Sequence, residues 1–388
     1  MPIGISFHLD LALQLLNAGS VFNVTFMEGK PVMMETTRRG QALTISVADF
    51  VSANAESFGE EVLAFSQAAD QTLSREQMLS LAHTVLSPGW EKQIGAQPLH
   101  GTLELASPMR CSFFLYSNMD RRTDGQAADV TPPQQVPFQS GYHGMLGCAV
   151  RILPTEPMEL SKLRLNQAAI SVADVKGGLV LVVGSPGVGK STTAAAYVDH
   201  VNRTRSGSIV TAENPIEVPF RSKASVVSQR EVGVNVASVR MALRDAERNF
   251  AHSAFVGEVQ ILDDELEAFS SARHGLFVVA TSFANDAVDA IKTLVTNIDK
   301  TGSNGADLAS GTVLTVVYQV RLPSTQEGRW EFAYETLVVY GNDEAVTCIR
   351  NRDWAGLVGL VTSDPSTSLN GSLAELVRLR RVLREAAM

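Results

Sequence analysis

The chain has 388 residues, of which 45% are hydrophobic and 19% charged, and its net charge is −9. At about 100–200 residues per domain this length predicts two or three domains, and the acidic balance argues against a general nucleic-acid binder, which needs a basic surface. No apolar run reaches the ~20 residues that span a bilayer, the start lacks the basic stretch of a signal peptide, and Cys111, Cys148 and Cys348 are spaced for neither a metal site nor a disulfide framework, so the expectation is a cytoplasmic protein with reduced core thiols.

The first half reads as α+β. Leu9 to Ala18 has near-helical apolar spacing, and Val21 to Phe26 and Gln41 to Val47 alternate as strands, with Gly29-Lys30-Pro31 as a turn between them. Ala48 to Ala69 and Ser74 to Leu86 follow as helices. The second opens on the capping box Ser74-Arg-Glu-Gln77 and stops at Ser87-Pro-Gly. Leu99 to Leu105, Met109 to Tyr116 and Met145 to Leu153 return to strand character. Residues 117–144 between the last two are poor in large apolar residues and rich in strand breakers, so they predict a long loop, either a plain surface insertion or a partner-binding segment. Pro154 to Pro157 reads as an interdomain connection.

From residue 156 onward strand and helix patterns alternate, which predicts a mostly parallel sheet with crossover helices. Leu179 to Val183 is an apolar, β-branched run, as a strand buried on both faces requires. Directly after it comes Gly184-Ser185-Pro186-Gly187-Val188-Gly189-Lys190-Ser191, a full match to the phosphate-binding G-x-x-x-x-G-K-[ST] loop, followed by Thr192 and a helix-forming run to about Val201. The glycines let backbone N–H groups curl round phosphate oxygens, and the helix aims its positive end at the same anion. Lys190 is expected to reach the β- and γ-phosphates of ATP, and Ser191 to hold Mg²⁺.

Further on, Ser208 to Ala212 predicts a strand closing on Glu213-Asn214-Pro215-Ile216-Glu217. Ala237 to Arg248 predicts a helix. Ala254 to Val256 predicts a short strand closing on Gly257-Glu258, and Leu276 to Thr281 another buried strand. Carboxylates that follow parallel strands lie at the edge where such sheets bind ligands. Glu213 and Glu258 are therefore expected to converge on the phosphates, whereas Glu217 reads as an ordinary loop carboxylate.

Taken together, these motifs resemble the type II/type IV secretion and pilus ATPase superfamily, along nearly the whole chain. Gly184 to Thr193 matches its Walker A loop, and Val201 to Arg205 the end of the following helix. Glu213-Asn-Pro-Ile-Glu217 sits at its aspartate box, and Ser228-Gln-Arg-Glu-Val232 matches a run beyond it. Val256-Gly-Glu258 matches the Walker B end. Arg110 and Arg151 fall where the family carries strand arginines. Tyr318 to Leu322, Tyr334 to Leu337 and Gly371 to Leu376 resemble its C-terminal helical region.

The resemblance implies an α/β chain with two parts. An N-terminal α+β, PAS-like domain spans 1–155, and a RecA-like P-loop NTPase domain with a helical C-terminus spans 156–388. It implies a homo-oligomer, a hexamer, that binds ATP and Mg²⁺ between its domains. Glu258, with Glu213, would act on the attacking water, and Arg110 or Arg151 would neutralise phosphate charge. For both arginines the alternative is an ordinary strand-surface ion pair. Implied partners are an inner-membrane platform protein of a pilus or secretion machine and a paralogous ATPase, with no direct nucleic acid.

The sequence also departs from the family pattern. Asn214 stands at the aspartate of its box, Val259-Gln260-Ile261 replaces the usual continuation after Gly-Glu, and extra residues fall between Arg244 and Gly257. Leu276 and Phe283 occupy histidine positions, while the nearby His274 reads as a solvated helix-end residue. Two further readings follow: a slow or non-catalytic nucleotide-binding subunit that regulates an active paralogue, and a nucleic-acid-stimulated motor on the same core, against which the net charge weighs.

Overall fold

Alternating apolar side chains build the sheet of the first part. Val24, Phe26 and Met34 are buried, as are Leu146, Cys148 and Val150, every second residue facing one core. The computed structural model describes residues 21–27, 32–38, 41–47, 49, 74–86, 99–104, 108–117, 144–152, 154, 156–259, 262–326 and 329–387. They fall into two units, 1–153 with 323–329, and 154–322 with 330–388.

In the first unit β1 (Val21–Met27), β2 (Met33–Arg38), β3 (Gln41–Ser46), β4 (Leu99–Glu104), β5 (Pro108–Ser117) and β6 (Gly144–Ile152) form one sheet in the order β3-β2-β1-β6-β5-β4. Every pairing in it is antiparallel. Strand β2 was not expected: its Met-Met-Glu-Thr-Thr-Arg run reads weakly, yet it pairs with both β1 and β3. Helix α1 (Arg75–Val85) starts at the expected capping box, with Gln77 N–H donating to Ser74 Oγ at 3.3 Å and Ser74 N–H donating to Gln77 Oε1 at 2.8 Å. It sets Met78, Leu81 and Ala82 into the core. The helices expected at 9–18 and 48–69, Asp49 excepted, and the loop through 118–143, lie outside the described residues.

The second unit opens with the short helix α2 (Gln167–Ser171) and then alternates. β7 (Gly178–Val183) is buried at all six positions. It leads through the glycine loop into α3 (Lys190–Thr204). β8 (Gly207–Ala212), β9 (Ser225–Ser228), α4 (Val239–Arg248), β10 (Ser253–Glu258), α5 (Leu262–Arg273), β11 (Phe277–Ser282), α6 (Ala287–Asp299), α7 (Gly305–Thr312), β12 (Val313–Pro323) and β13 (Trp330–Val338) follow, and α8 (Asp343–Arg350), α9 (Trp354–Ser363) and α10 (Leu369–Arg378) close the chain. The sheet order is β13-β12-β7-β11-β10-β8-β9. Its pairings from β12 to β9 are parallel, as buried α/β sheets are. Two apolar clusters cover the two faces, one built on Leu179, Leu181 and Val183, the other on Val180 and Val182.

One expectation is corrected here. Tyr318 to Leu322 and Tyr334 to Leu337 are not helical but lie in β12 and β13, while Gly371 to Leu376 does lie in α10. β-branched and aromatic residues in those runs suit a pleated surface, and β12 pairs directly with β7.

Candidate functional site

The glycine loop turns between β7 and α3 because three of its residues take backbone angles open to glycine: Gly184 at φ +145, Gly187 at +74 and Gly189 at +91. Two of them also have no room for a side chain. A Cβ on Gly184 would meet Gln319 O at 2.5 Å, and one on Gly189 would meet Gln319 Nε2 at 2.9 Å; at Gly187 the space is open. Gly189 is also the N-cap of α3, and no side chain caps that end. The first N–H groups of a four-turn helix are thus free to face an anion.

Lys190 lies within the loop, only 7% exposed. Its Nζ donates to the carbonyls of Gly184 at 3.0 Å and Ser185 at 3.1 Å, and sits 4.2 Å from the centre of the Phe283 ring. Burial lowers its pKa, opposed by the charges of Glu258 and Glu217. Phe283, 45% exposed, follows the end of β11. The ammonium is therefore held by two carbonyls and a π-face, partners that a phosphate oxygen outcompetes.

Gln319 on β12 secures the loop from the neighbouring strand. Its Nε2 donates to the Val188 carbonyl, and its Oε1 accepts from Thr193 Oγ1 at 2.7 Å, one turn into α3. Tyr334 on β13 is buried, and that burial pushes its phenol pKa up to about 12. Deeper in α3, Asp199 is buried; desolvation would raise its pKa, but Lys223 at 2.6 Å and Arg203 at 2.6 Å hold it below the ordinary range.

The carboxylates arrive from the strand ends. Glu258 closes β10, opposite Thr281 of β11, and is exposed. Glu213 follows β8, and its Cα lies 3.2 Å from where a Cβ on Gly257 would stand. A side chain at Gly257 would crowd Glu213 and push the two strand ends apart by a few tenths of an ångström. Glu213 is 4% exposed. Its Oε1 accepts from Gln229 Nε2 at 3.1 Å, and its backbone is clamped by Glu213 N–H to Arg230 O and Val232 N–H to Glu213 O. Burial raises its pKa from 4.5 to about 7. Beside Thr192, a cavity of about 350 Å³ is lined by Pro157, Met158, Lys162, Arg203 and Val218 among others.

The structure thus brings Gly184 to Thr192, Lys190 and Glu258 to one edge of the sheet, with Glu213 next to Gly257. Arg110 and Arg151 lie in the first unit, as register partners across β5 and β6. Sequence reasoning gave Glu217, Gln319 and Thr193 no individual role at the site. Glu217 was read as an ordinary loop carboxylate, yet its charge acts on Lys190. His274 is exposed at the end of α5, its Nδ1 3.2 Å from Glu247 Oε1, in keeping with a helix-end role.

Residues 148–335 match the family described as Type II/IV secretion system protein. Just under half of the chain is thus similar to the type II/IV secretion and pilus ATPase superfamily. It is 36% identical over 149 residues to the type IV pilus retraction ATPase PilT of Pseudomonas aeruginosa, a match covering 38% of this chain and 43% of PilT. It is 32% identical over 151 residues to the type IV pilus ATPase PilU of the same organism, covering 39% of this chain and 40% of PilU. The match therefore spans less than half the length of either curated relative. Among solved structures, the pilus retraction motor PilT with bound ADP aligns at a TM-score of 0.70 and 25% identity, over 97% of this chain and 95% of that one. The ATPase DotB of Legionella pneumophila aligns at 0.72 over 98% and 94%, and at 18% identity it speaks for the fold alone. The α/β architecture is that of these secretion and pilus ATPases, with a parallel-dominated sheet.

Proposed function

We propose that this chain is an ATP-hydrolysing motor subunit, working as a hexamer, that powers a type IV pilus or a type IV secretion or conjugation machine. The observation that carries the reading is the loop itself: Lys190 is poised on the Gly184 and Ser185 carbonyls at the uncapped start of α3, within the field of Glu258. The likeness to an ADP-bound retraction motor over nearly the whole chain supports it.

In this reading the N–H groups of 184–192 hold the phosphates, and Lys190 exchanges its two carbonyls for β- and γ-phosphate oxygens. The base rests in the cavity beside Thr192, against Pro157, Met158 and Val218. Ser191, second in α3 at its uncapped start, would hold Mg²⁺ through its Oγ, and the ion, when bound, would supply positive charge toward the leaving diphosphate. Glu258 orients the attacking water and accepts its proton as the water oxygen bonds to the γ-phosphorus and the bond to the bridging oxygen breaks, releasing ADP and phosphate. Glu213, buried and close to neutral pKa, is placed to hold the end of β8 rather than to carry a full charge. Arg110 or Arg151 of a neighbouring subunit neutralises the developing charge. Motion of the two domains transmits the work to an inner-membrane platform. Among the described residues no helix is long and apolar enough to cross a membrane.

A second reading, slow turnover in support of an active paralogue, is favoured by Phe283 and Leu276. Leu276 is buried in the core and Phe283 presents a ring to Lys190, so neither offers a proton or a hydrogen bond. The test is single-turnover hydrolysis by the full chain and by Glu258→Gln. Micromolar-range Mg-ATP binding and slow hydrolysis are expected, with a further loss of about 10²–10⁴-fold in the variant. An equal rate in both proteins overturns the assignment of Glu258.

A further inference from the structure

A second cavity of about 220 Å³ lies beside β13, between that strand, the segment before α2 and the start of α10. Its wall includes Arg164, Asn166, Tyr334, Thr336, Ser372 and Glu375. It shares no residue with the cavity beside Thr192.

Three features set it apart from a packing defect. The first is Thr336, 2% exposed, whose Oγ1 finds no hydrogen-bond partner. A buried hydroxyl without a partner costs free energy, and threonine has the shape of valine, which would fill the same space without that cost. The second is Arg164. Its ion pair with Glu331 spans 3.9 Å, beyond hydrogen-bond length, so its planar fork of donors is only loosely engaged. The third is the polarity of the remaining wall. Asn166 Nδ2 donates to Ser366 Oγ at 2.9 Å, and Ser372 Oγ accepts from Tyr334 N–H at 3.1 Å. Both hydroxyls keep capacity for another bond. A guanidinium, a carboxylate on the rim at Glu375 and several hydroxyls line a space far larger than one water needs.

We propose that this cavity is a binding site for a small carboxylate-bearing metabolite of amino-acid size. Arg164 takes the carboxylate, Thr336 hydrogen-bonds beside it, and Glu375, whose oxygens already accept from Arg378 at 2.7 and 2.6 Å, keeps lone pairs for an ammonium or hydroxyl group at the mouth. Its wall is also linked to the glycine loop through β13: Tyr334 lies in that wall, and the ring of Phe332, two residues before it, lies 3.2 Å from where a Cβ on Gly189 would stand. Occupancy therefore alters nucleotide affinity, a consequence that rests on the nucleotide-binding reading above.

The probes are L-glutamate and succinate, with the diamine putrescine as a charge-reversed control, titrated calorimetrically into the nucleotide-free full chain. Saturable binding of a carboxylate at a Kd on the order of 1 mM or tighter, and none of putrescine, is expected. Thr336→Val should fold at least as well as the parent and bind the probe ~3–10-fold more weakly, with Thr336→Ser restoring affinity; Arg164→Gln should lose ~10–100-fold. No saturable binding of either carboxylate, or binding that both Thr336→Val and Arg164→Gln leave unchanged, overturns the site. These arms contain no nucleotide, so they stand apart from the motor reading. ATP affinity measured with and without saturating probe tests the coupling, and an unchanged value refutes that part.

Discussion

Replacing Glu213 with glutamine isolates the energetic role of the most deeply buried carboxylate at the sheet edge. Its pKa rises from 4.5 to about 7 because the carboxyl is desolvated at 4% exposure, with one amide donor from Gln229 to offset the loss of water. A carboxyl with a raised folded pKa holds a proton that the unfolded chain releases. Its stabilising share is complete below about pH 4.5 and is lost as pH rises through about 7. At ~1.36 kcal/mol per pKa unit the ionised form costs the folded state about 3 kcal/mol above pH 7.5. Glutamine keeps the shape and the acceptor for Gln229 but carries no charge. Glu213→Gln should therefore match the parent near pH 4.5 and exceed it by about 3 kcal/mol at pH 8, or roughly 6–12 °C in melting temperature for a unit of this size. Calorimetric melting of nucleotide-free protein across pH 4.5–8 reads this directly. A difference between the two proteins that is flat with pH would show that Glu213 ionises as it does in water, and would refute the desolvation argument.

Other outcomes follow from the loop. Lys190→Ala should lose at least ~10–100-fold in ATP affinity, since each charge-assisted bond contributes about 1.5–3 kcal/mol, while circular dichroism stays unchanged; unchanged affinity would sink the phosphate-loop assignment. Phe283→Ala should bind nucleotide ~2–5-fold more tightly, because the ring holds Lys190 only in the nucleotide-free state, by about 0.5–1 kcal/mol; equilibrium titration showing weaker binding would mean that the ring serves the bound state instead. Sedimentation of the full chain should show an oligomer, six subunits, that ATP stabilises, and monomer alone at micromolar protein with and without ATP would count against the ring.

What was legible in the sequence was local. The glycine loop, its strand and its helix follow one another within a few residues, and the capping box at Ser74 spans three. Both declare themselves because the physics that shapes them acts over the same short range. The surroundings of the loop were not legible. Gln319 reaches Val188 across 131 positions and Thr193 across 126, and no periodicity encodes such a pair. Phe283 was visible as a departure from a histidine position, but its seat against Lys190 required the close of β11. Strand β2 escaped because Met33-Met34-Glu35 gives a weak alternation that two neighbouring strands override. Glu217 was set aside because a carboxylate two residues past a proline looks like any other loop charge until its distance from a lysine is known.

Gln319 gives the glycine loop an unusual kind of fragility. Its main-chain oxygen crowds Gly184, its amide nitrogen crowds Gly189, and only Gly187 faces open space. The loop is therefore less a free strap than one half of a mould whose other half is β12. Damage to the mould need not fall on the motif. A bulky substitution along β12 that slides the strand by a fraction of an ångström would reach the loop through three contacts at once. Second-site suppressors of a weakened loop should accordingly gather on β12 and on β13 beside it, in a part of the chain that the phosphate-binding signature never touches.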